Sequence, residues 1–191
     1  MMTMKTKAHG FTLIELMVVI AVAAILLVVA APSMYDFILL QRLKSVNAQV
    51  VTDLQFARSE AASRNVNVRF RLTSNDEVTC YVLFTGARNA CDCTASPVCP
   101  ATTEQEIRTV QVSRNLKVTV TPPSAFSELQ YDASTGAMSV AAVDTMDPLP
   151  DRFIIDTSID TARRLRTEVP FAGRPIVCAP AGSTLPLPAC L

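Results

Sequence analysis

The chain has 191 residues, 50% of them hydrophobic and 18% charged, a balance that excludes disorder for most of its length. Its 17 Lys and Arg match its 17 Asp and Glu, so no whole-molecule field draws it to nucleic acid or anionic lipid, and any such attraction must be local. The apolar excess sits near the N-terminus. From Phe11 to Ala31 only Thr12 and Glu15 are not apolar, and neither Gly nor Pro interrupts the run. As a helix at about 1.5 Å per residue this run covers roughly 31 Å, close to the hydrocarbon thickness of a bilayer. Lys5, Lys7 and His9 precede it without an acid, which predicts a single-pass span with the N-terminus inside and the rest outside. A cleaved secretory signal would have a shorter apolar region, so the length argues against one ending near Ala30-Ala31.

Glu15 is the anomaly in this segment. A carboxylate within a bilayer costs on the order of 2.5–3.5 kcal/mol, which marks a function and calls for a partner. If the chain is cut before Phe11, the new α-amino group lies about one helical turn from Glu15. Amine and carboxylate, of one copy or of neighbouring copies, then neutralise each other. Lys7-Ala8-His9-Gly10 followed by Phe11-Thr12-Leu13-Ile14-Glu15-Leu16 resembles the class III leader of type IV pilins and pseudopilins. The resemblance covers about 30 residues and combines a basic leader, Gly at the cut, Phe after it and an acid at the fifth mature position. It implies cleavage between Gly10 and Phe11 by a prepilin peptidase, N-methylation of Phe11, and polymerisation with other pilins into a filament in which Glu15 meets the amine of an adjoining subunit. It also implies a bacterial inner-membrane location before assembly and a periplasmic or extracellular one after it. Pro32 stands where pilins commonly carry a helix-kinking proline, and a helix-interior Pro loses a backbone hydrogen bond whatever the family.

Beyond Pro32, Leu39, Leu43, Val46, Val50, Leu54, Ala57 and Ala61 recur at steps of 4, 3, 4, 4, 3 and 4, predicting an amphipathic helix to about Arg64. The period then changes to two, with Val66, Val68, Phe70 and Leu72 alternating with polar residues. Further strands are predicted at Val78–Thr85, Ile107–Ser113, Leu116–Thr121, Ala137–Val143, Arg152–Thr157 and Pro175–Cys178. Gly86–Glu104 reads as an inserted loop and Asp144–Pro150 as a surface excursion. The expected fold is α+β: a long N-terminal helix, transmembrane and then amphipathic, laid on one face of an antiparallel sheet. The pilin resemblance implies the same layout. The expected divisions are a leader over 1–10, a transmembrane half-helix over 11–37 and a globular domain over 38–191.

All six cysteines, Cys80, Cys91, Cys93, Cys99, Cys178 and Cys190, follow the apolar segment, on the side that is oxidising in a bacterial envelope, and their even number predicts disulfides. The spacing leaves the pairing open; Cys178–Cys190, with Cys80 joined to the Cys91/Cys93/Cys99 loop, is the expected arrangement. Zinc is disfavoured, because the cluster lacks a finger spacing and this compartment disfavours free thiolates. His9 is the only histidine and leaves with the leader, which removes Ser-His and Cys-His hydrolases and His-ligated metals. No Gly-rich phosphate loop is present. Neither enzymatic activity nor a cofactor is expected.

Charge is segregated near the C-terminus. Asp144–Asp160 holds five acids and Arg152, whereas Thr161–Arg174 holds Arg163, Arg164, Arg166 and Arg174 against Glu168. Such arginines bind phosphate well. Phe171-Ala172-Gly173-Arg174-Pro175-Ile176-Val177-Cys178 resembles the Gly-Arg element of the GspH/FimT group, which includes minor pilins of type IV pili and the H pseudopilin of type II secretion. Some FimT-like members bind DNA through Gly-Arg-x-Arg, and Ile176 stands here where the second Arg would be. The resemblance implies a FimT-like minor pilin, with a secretion pseudopilin as the alternative and DNA as a candidate partner if the four arginines share an exposed face without acidic partners.

Overall fold

The computed structural model describes residues 11–122, 127–140 and 151–190, with the side chains of residues 29–33 set aside. The leader 1–10 with Gly10, the Pro32 side chain, and residues 141–150, with the end of one predicted strand and the Asp144–Pro150 excursion, lie outside the described residues. Two compact units are present, one ending at Ile38 and one starting at Leu39.

Helix α1 spans Leu13–Arg64, and its assignment runs unbroken across position 32. In the first unit every described side chain from Phe11 to Ile38 is exposed. Among the described residues no helix is long and apolar enough to cross a membrane. The described side chains of the apolar run end at Val28, while the sequence run continues to Ala31.

In the second unit the stripe Leu39, Leu43, Val50, Leu54, Ala57 and Ala61 is buried. The helix stops at Arg64 because Asn65 adopts a left-handed φ of 54° and the Val66 N–H returns to the Ala61 carbonyl at 3.3 Å, a six-to-one bond that satisfies an orphan helix acceptor. Val66 therefore belongs to the helix cap, and the first strand starts two residues later than the alternation suggests.

Among the described residues nine strands follow: β1 Val68–Ser74, β2 Val78–Thr85, β3 Gln105–Ser113, β4 Thr119–Thr121, β5 Glu128–Tyr131, β6 Met138–Val140, β7 Arg152–Ser158, β8 Arg164–Pro170 and β9 Ile176–Cys178. They form two antiparallel sheets, β3-β2-β1-β5-β6 and β4-β7-β8-β9, where a single sheet was expected. The predicted Leu116–Thr121 strand shortens to β4, because Arg114–Leu116 forms a 3-10 turn closed by Lys117 at φ 57°. Strands β5 and β8 were not anticipated. β5 has four residues, and the alternation of β8 was masked by its charges.

One core joins the helix to both sheets: Val50, Leu54, Ala57 and Ala61 meet Phe70, Leu72, Tyr81, Leu83, Leu129 and Tyr131 of the first sheet and Phe153, Ile155 and Val169 of the second. Each large apolar side chain buried there contributes roughly 1.5–3 kcal/mol of transfer free energy. Buried and half-buried polar bridges also fix the helix. The Asp53 carboxylate, 1% exposed, accepts from the Tyr81 hydroxyl at 2.7 Å and from Arg108 Nη1 at 2.5 Å. Asn47 Oδ1 accepts from Thr157 and Thr167, each at 3.1 Å, across two strands of the second sheet. Arg58 Nε donates to the Gly136 carbonyl at 3.0 Å.

Strand β2 is buried on both faces. Tyr81 and Leu83 face the helix, while Cys80, Val82 and Phe84 pack against Cys91, Cys93 and Val98 of the inserted loop.

Candidate functional site

At the start of α1, Thr12-Leu13-Ile14-Glu15 has the S/T-x-x-E form of a capping box. The Thr12 hydroxyl accepts from the Glu15 N–H at 3.3 Å, and the Leu16 N–H reaches the Thr12 carbonyl at 3.2 Å. Glu15 thus stands in the first turn, where a carboxylate also offsets the positive end of the helix dipole. This local role was legible in the sequence and was missed there. Phe11 precedes the cap and is 82% exposed.

The four C-terminal arginines do not form one ridge. Arg163 closes a turn on Asp160, whose carboxylate accepts from Arg163 Nε at 2.8 Å, the Arg163 N–H at 2.7 Å and the Ala162 N–H at 2.9 Å. Hydrogen bonding from Arg163, above all from its side chain, holds the Asp160 carboxyl below its ordinary range. Arg166 and Asp156 are register partners on β8 and β7, and the guanidinium forks onto the carboxylate at 2.7 and 2.9 Å. On the same strand pair, Arg152 Nη1 donates to Glu168 at 2.7 Å. Arg164 serves the C-terminal tail: its Nη2 donates to the Ala181 carbonyl at 2.7 Å, and its own carbonyl accepts from Ser183. Arg152–Ser158 of the acidic segment and Arg164–Pro170 of the basic segment are therefore two strands of one hairpin, paired by register.

Arg174 differs. It is exposed, follows a tight turn in which the Gly173 N–H reaches the Pro170 carbonyl at 2.7 Å, and has no carboxylate partner among the described residues. Gly173 has φ 75°, and a Cβ there would run into the Gly136 carbonyl oxygen and stand 3.3 Å from Arg58 Nε. Only glycine allows this approach, which explains half of the Gly-Arg element by packing. Beside it opens a cleft of about 640 Å³ between α1 and the turn after β5, with Arg58 and Arg174 both on its walls. Arg58 was not singled out from the sequence, where it reads as one more solvated helix residue.

The six cysteines pair as Cys80–Cys93, Cys91–Cys99 and Cys178–Cys190. None is left as a thiolate for metal. Arg71 reinforces the loop by donating to the carbonyls of Asn89 at 2.9 Å and Cys91 at 2.7 Å. Glu128 takes the Asn89 N–H at 3.0 Å while paired with Arg69 at 2.8 Å.

Comparison with known proteins adds the following. A family model described as a prokaryotic N-terminal methylation motif matches residues 5–31, and one described as type II transport protein GspH matches residues 47–169. No curated protein sequence matches the chain. Among solved structures, the type IV minor pilin FimU of Pseudomonas aeruginosa PAO1 is similar in two crystal forms. One has 19% identity over 72% of this chain and 88% of that one, with a TM-score of 0.49. The other has 15% identity over 70% and 90%, with a TM-score of 0.48.

Proposed function

The chain belongs to the GspH family of type IV pilin-like proteins, and from that premise we propose that it is a FimT-like minor pilin, a structural and assembly subunit of a type IV pilus. In this reading the leader 1–10 is removed between Gly10 and Phe11 by a prepilin peptidase, and Phe11 is N-methylated. Residues 11–37 hold the chain in the bacterial inner membrane, N-terminus inside, until assembly. The domain from residue 38 faces the periplasm or the cell exterior. The observation that carries the proposal is the exposure of every described side chain from Phe11 to Ile38 in a segment whose first turn holds Glu15. Apolar area of this kind is favourable only in lipid or against other helices, and a carboxylate among it is tolerable only when neutralised. The amine of an adjoining subunit's Phe11 supplies that neutralisation, and Pro32 marks the passage from the apolar half to the amphipathic half. The reading assigns no chemical step to the protein.

The capping geometry dictates the test. Glu15→Ala removes the charge and truncates the side chain, whereas Glu15→Gln keeps the side-chain form that a capping box accepts and removes only the charge; the Thr12 hydroxyl bond to the backbone N–H of residue 15 is available to both. The expected result is membrane insertion without incorporation into sheared filaments for Glu15→Gln, and an unprocessed, heavier chain for Gly10→Ser. Normal incorporation of Glu15→Gln would refute the amine partner.

The alternative is a GspH-type pseudopilin of a type II secretion system, favoured by the description of the matching family. Co-purification with secretion pseudopilins rather than pilus subunits decides it. A DNA-binding role rests mainly on Arg174, since Arg163 and Arg166 are paired with acids and Arg164 holds the tail. Its test is a gel-shift titration at two salt concentrations beside Arg174→Ala. Binding as a receptor requires a salt slope of several phosphate contacts, about 0.9 log units each, and its loss in the variant.

A further inference from the structure

The cleft beside Gly173 has the features of a site for a single oxyanion. Its walls come from separate parts of the chain: Gln55, Arg58, Ser59 and Ala62 from α1, Ser134–Gly136 from the turn after β5, and Gly173–Pro175 from the segment before β9. Among the described residues no acidic one lines it. Arg58 is half-buried, and its Nε–H is committed to the Gly136 carbonyl at 3.0 Å, which fixes the plane of the guanidinium. Its two terminal nitrogens have no carboxylate partner among the described residues. Arg174 stands on the same cleft from the opposite segment. Two glycines at positive φ, Gly136 and Gly173, bring the backbones together at its floor, where a Cβ on Gly136 would lie 2.9 Å from Arg58 Nε. Beneath the floor the Tyr131 hydroxyl is fully buried with no hydrogen-bond partner among the described residues, and the Tyr131 ring lies 3.2 Å from where a Gly173 Cβ would stand. Of the two cleft arginines it is Arg58 whose charge acts on that hydroxyl.

We propose that this cleft is a carboxylate socket, in which Arg58 and Arg174 clamp one acidic side chain presented by a neighbouring protein. Planar forks match a carboxylate two bonds at a time, and a fork already anchored through Nε loses little freedom on binding. A nucleic-acid backbone is the poorer fit. It carries its charges in a row and needs many cations along a track, but the arginines that would extend the track along β8 are bound to Asp156, Asp160 and the tail. The Ser134 and Thr135 hydroxyls donate to Asp132, so the charged contacts come from the two guanidinium groups. The neighbour as source of the carboxylate rests on the filament reading. The binding does not, because it is measured on the dispersed chain.

The test is a titration of the full-length chain in detergent micelles, following the arginine Nε–Hε resonances, with glutarate and with inorganic phosphate as probes and ionic strength held constant with chloride. The socket predicts saturable shifts of Arg58 and Arg174 with glutarate. It also predicts at least tenfold weaker binding in Arg174→Gln, which alters an exposed side chain, and at least tenfold weaker binding of phosphate. Arg58→Lys, which keeps the charge and loses the fork, is expected to match Arg174→Gln; if it does not fold, Arg174→Gln alone decides. Shifts with glutarate no larger than those with chloride, or unchanged by Arg174→Gln, would overturn the site. Phosphate binding as tight as glutarate would overturn the carboxylate as its ligand.

Discussion

Replacing Asp53 with Ala tests how the amphipathic half of α1 is fixed to the first sheet. The carboxylate is 1% exposed and serves two donors, the Tyr81 hydroxyl at 2.7 Å and Arg108 at 2.5 Å. Its removal strands a hydroxyl that has no route to water, which costs about 1–3 kcal/mol. Arg108 loses less, because its side chain is 45% exposed and its guanidinium keeps a ring contact with Phe56 at 4.8 Å. With the small void added, the expected loss is about 3 kcal/mol, or roughly 6–12 °C in Tm for a domain of this size. Asp53→Asn retains an oxygen for Tyr81 and should lose about a third as much. Urea unfolding followed by circular dichroism gives the values, and a double-mutant cycle with Tyr81→Phe should return a coupling of about 1–2 kcal/mol. If Asp53→Ala costs less than about 0.5 kcal/mol, or the two changes add, the bridge is incidental and apolar contact alone seats the helix.

Gly173→Ala forces a left-handed residue against the Gly136 carbonyl and Arg58, and a loss of about 1–3 kcal/mol in the same unfolding assay is expected. Opening Cys178–Cys190 with paired serines should cost about 2–4 kcal/mol; hydrogen exchange should then rise at the Ala179 and Cys190 amides, which bond to the Pro188 and Ala179 carbonyls. Burial raises the pKa of Tyr81 and of Tyr131 above the ordinary value, so the native state keeps both neutral after an unfolded chain has ionised them. Stability should therefore fall as pH rises past about 10, by up to about 1.4 kcal/mol per unit for each, with phenolate absorbance of these two appearing only on unfolding. At the acid end, Asp160 and Asp92 have lowered values, so their contribution is present above the ordinary carboxylate range and is lost as pH falls from there through the lowered values; a pH series of urea midpoints reads both limbs.

How much of this was legible in the sequence follows from what each pattern encodes. Leu39 to Ala61 and Val68 to Leu72 recur at the two regular periods, and burial of one face is what selects those periods. β8 also has a period of two, with Leu165, Thr167 and Val169 inward and Arg164, Arg166 and Glu168 between them. Its three charges drew attention to electrostatics and away from the alternation, although a strand facing an oppositely charged strand is expected to pair charges across it. The division into two sheets was not legible, because which strands are neighbours depends on contacts distant in sequence. The Arg58–Gly173 approach was hidden for the same reason: 115 positions separate the two residues, and only the fold brings the guanidinium over the glycine. Thr12-x-x-Glu15 was readable as a cap, yet the same glutamate already had an explanation as a buried charge.

Strand β2, covered on both faces, ties solubility to oxidation. Cys80, Val82 and Phe84 lie in the interior of a five-stranded sheet, and their cover is a loop held by Cys80–Cys93 and Cys91–Cys99. A reduced chain could complete the helix-facing core and still display a flat apolar strip in the middle of the sheet, open to any other chain in the same condition. Thiol oxidation thus sets when newly made copies cease to be adhesive, a step distinct from reaching the native fold and one that would govern yield before it affected the melting temperature.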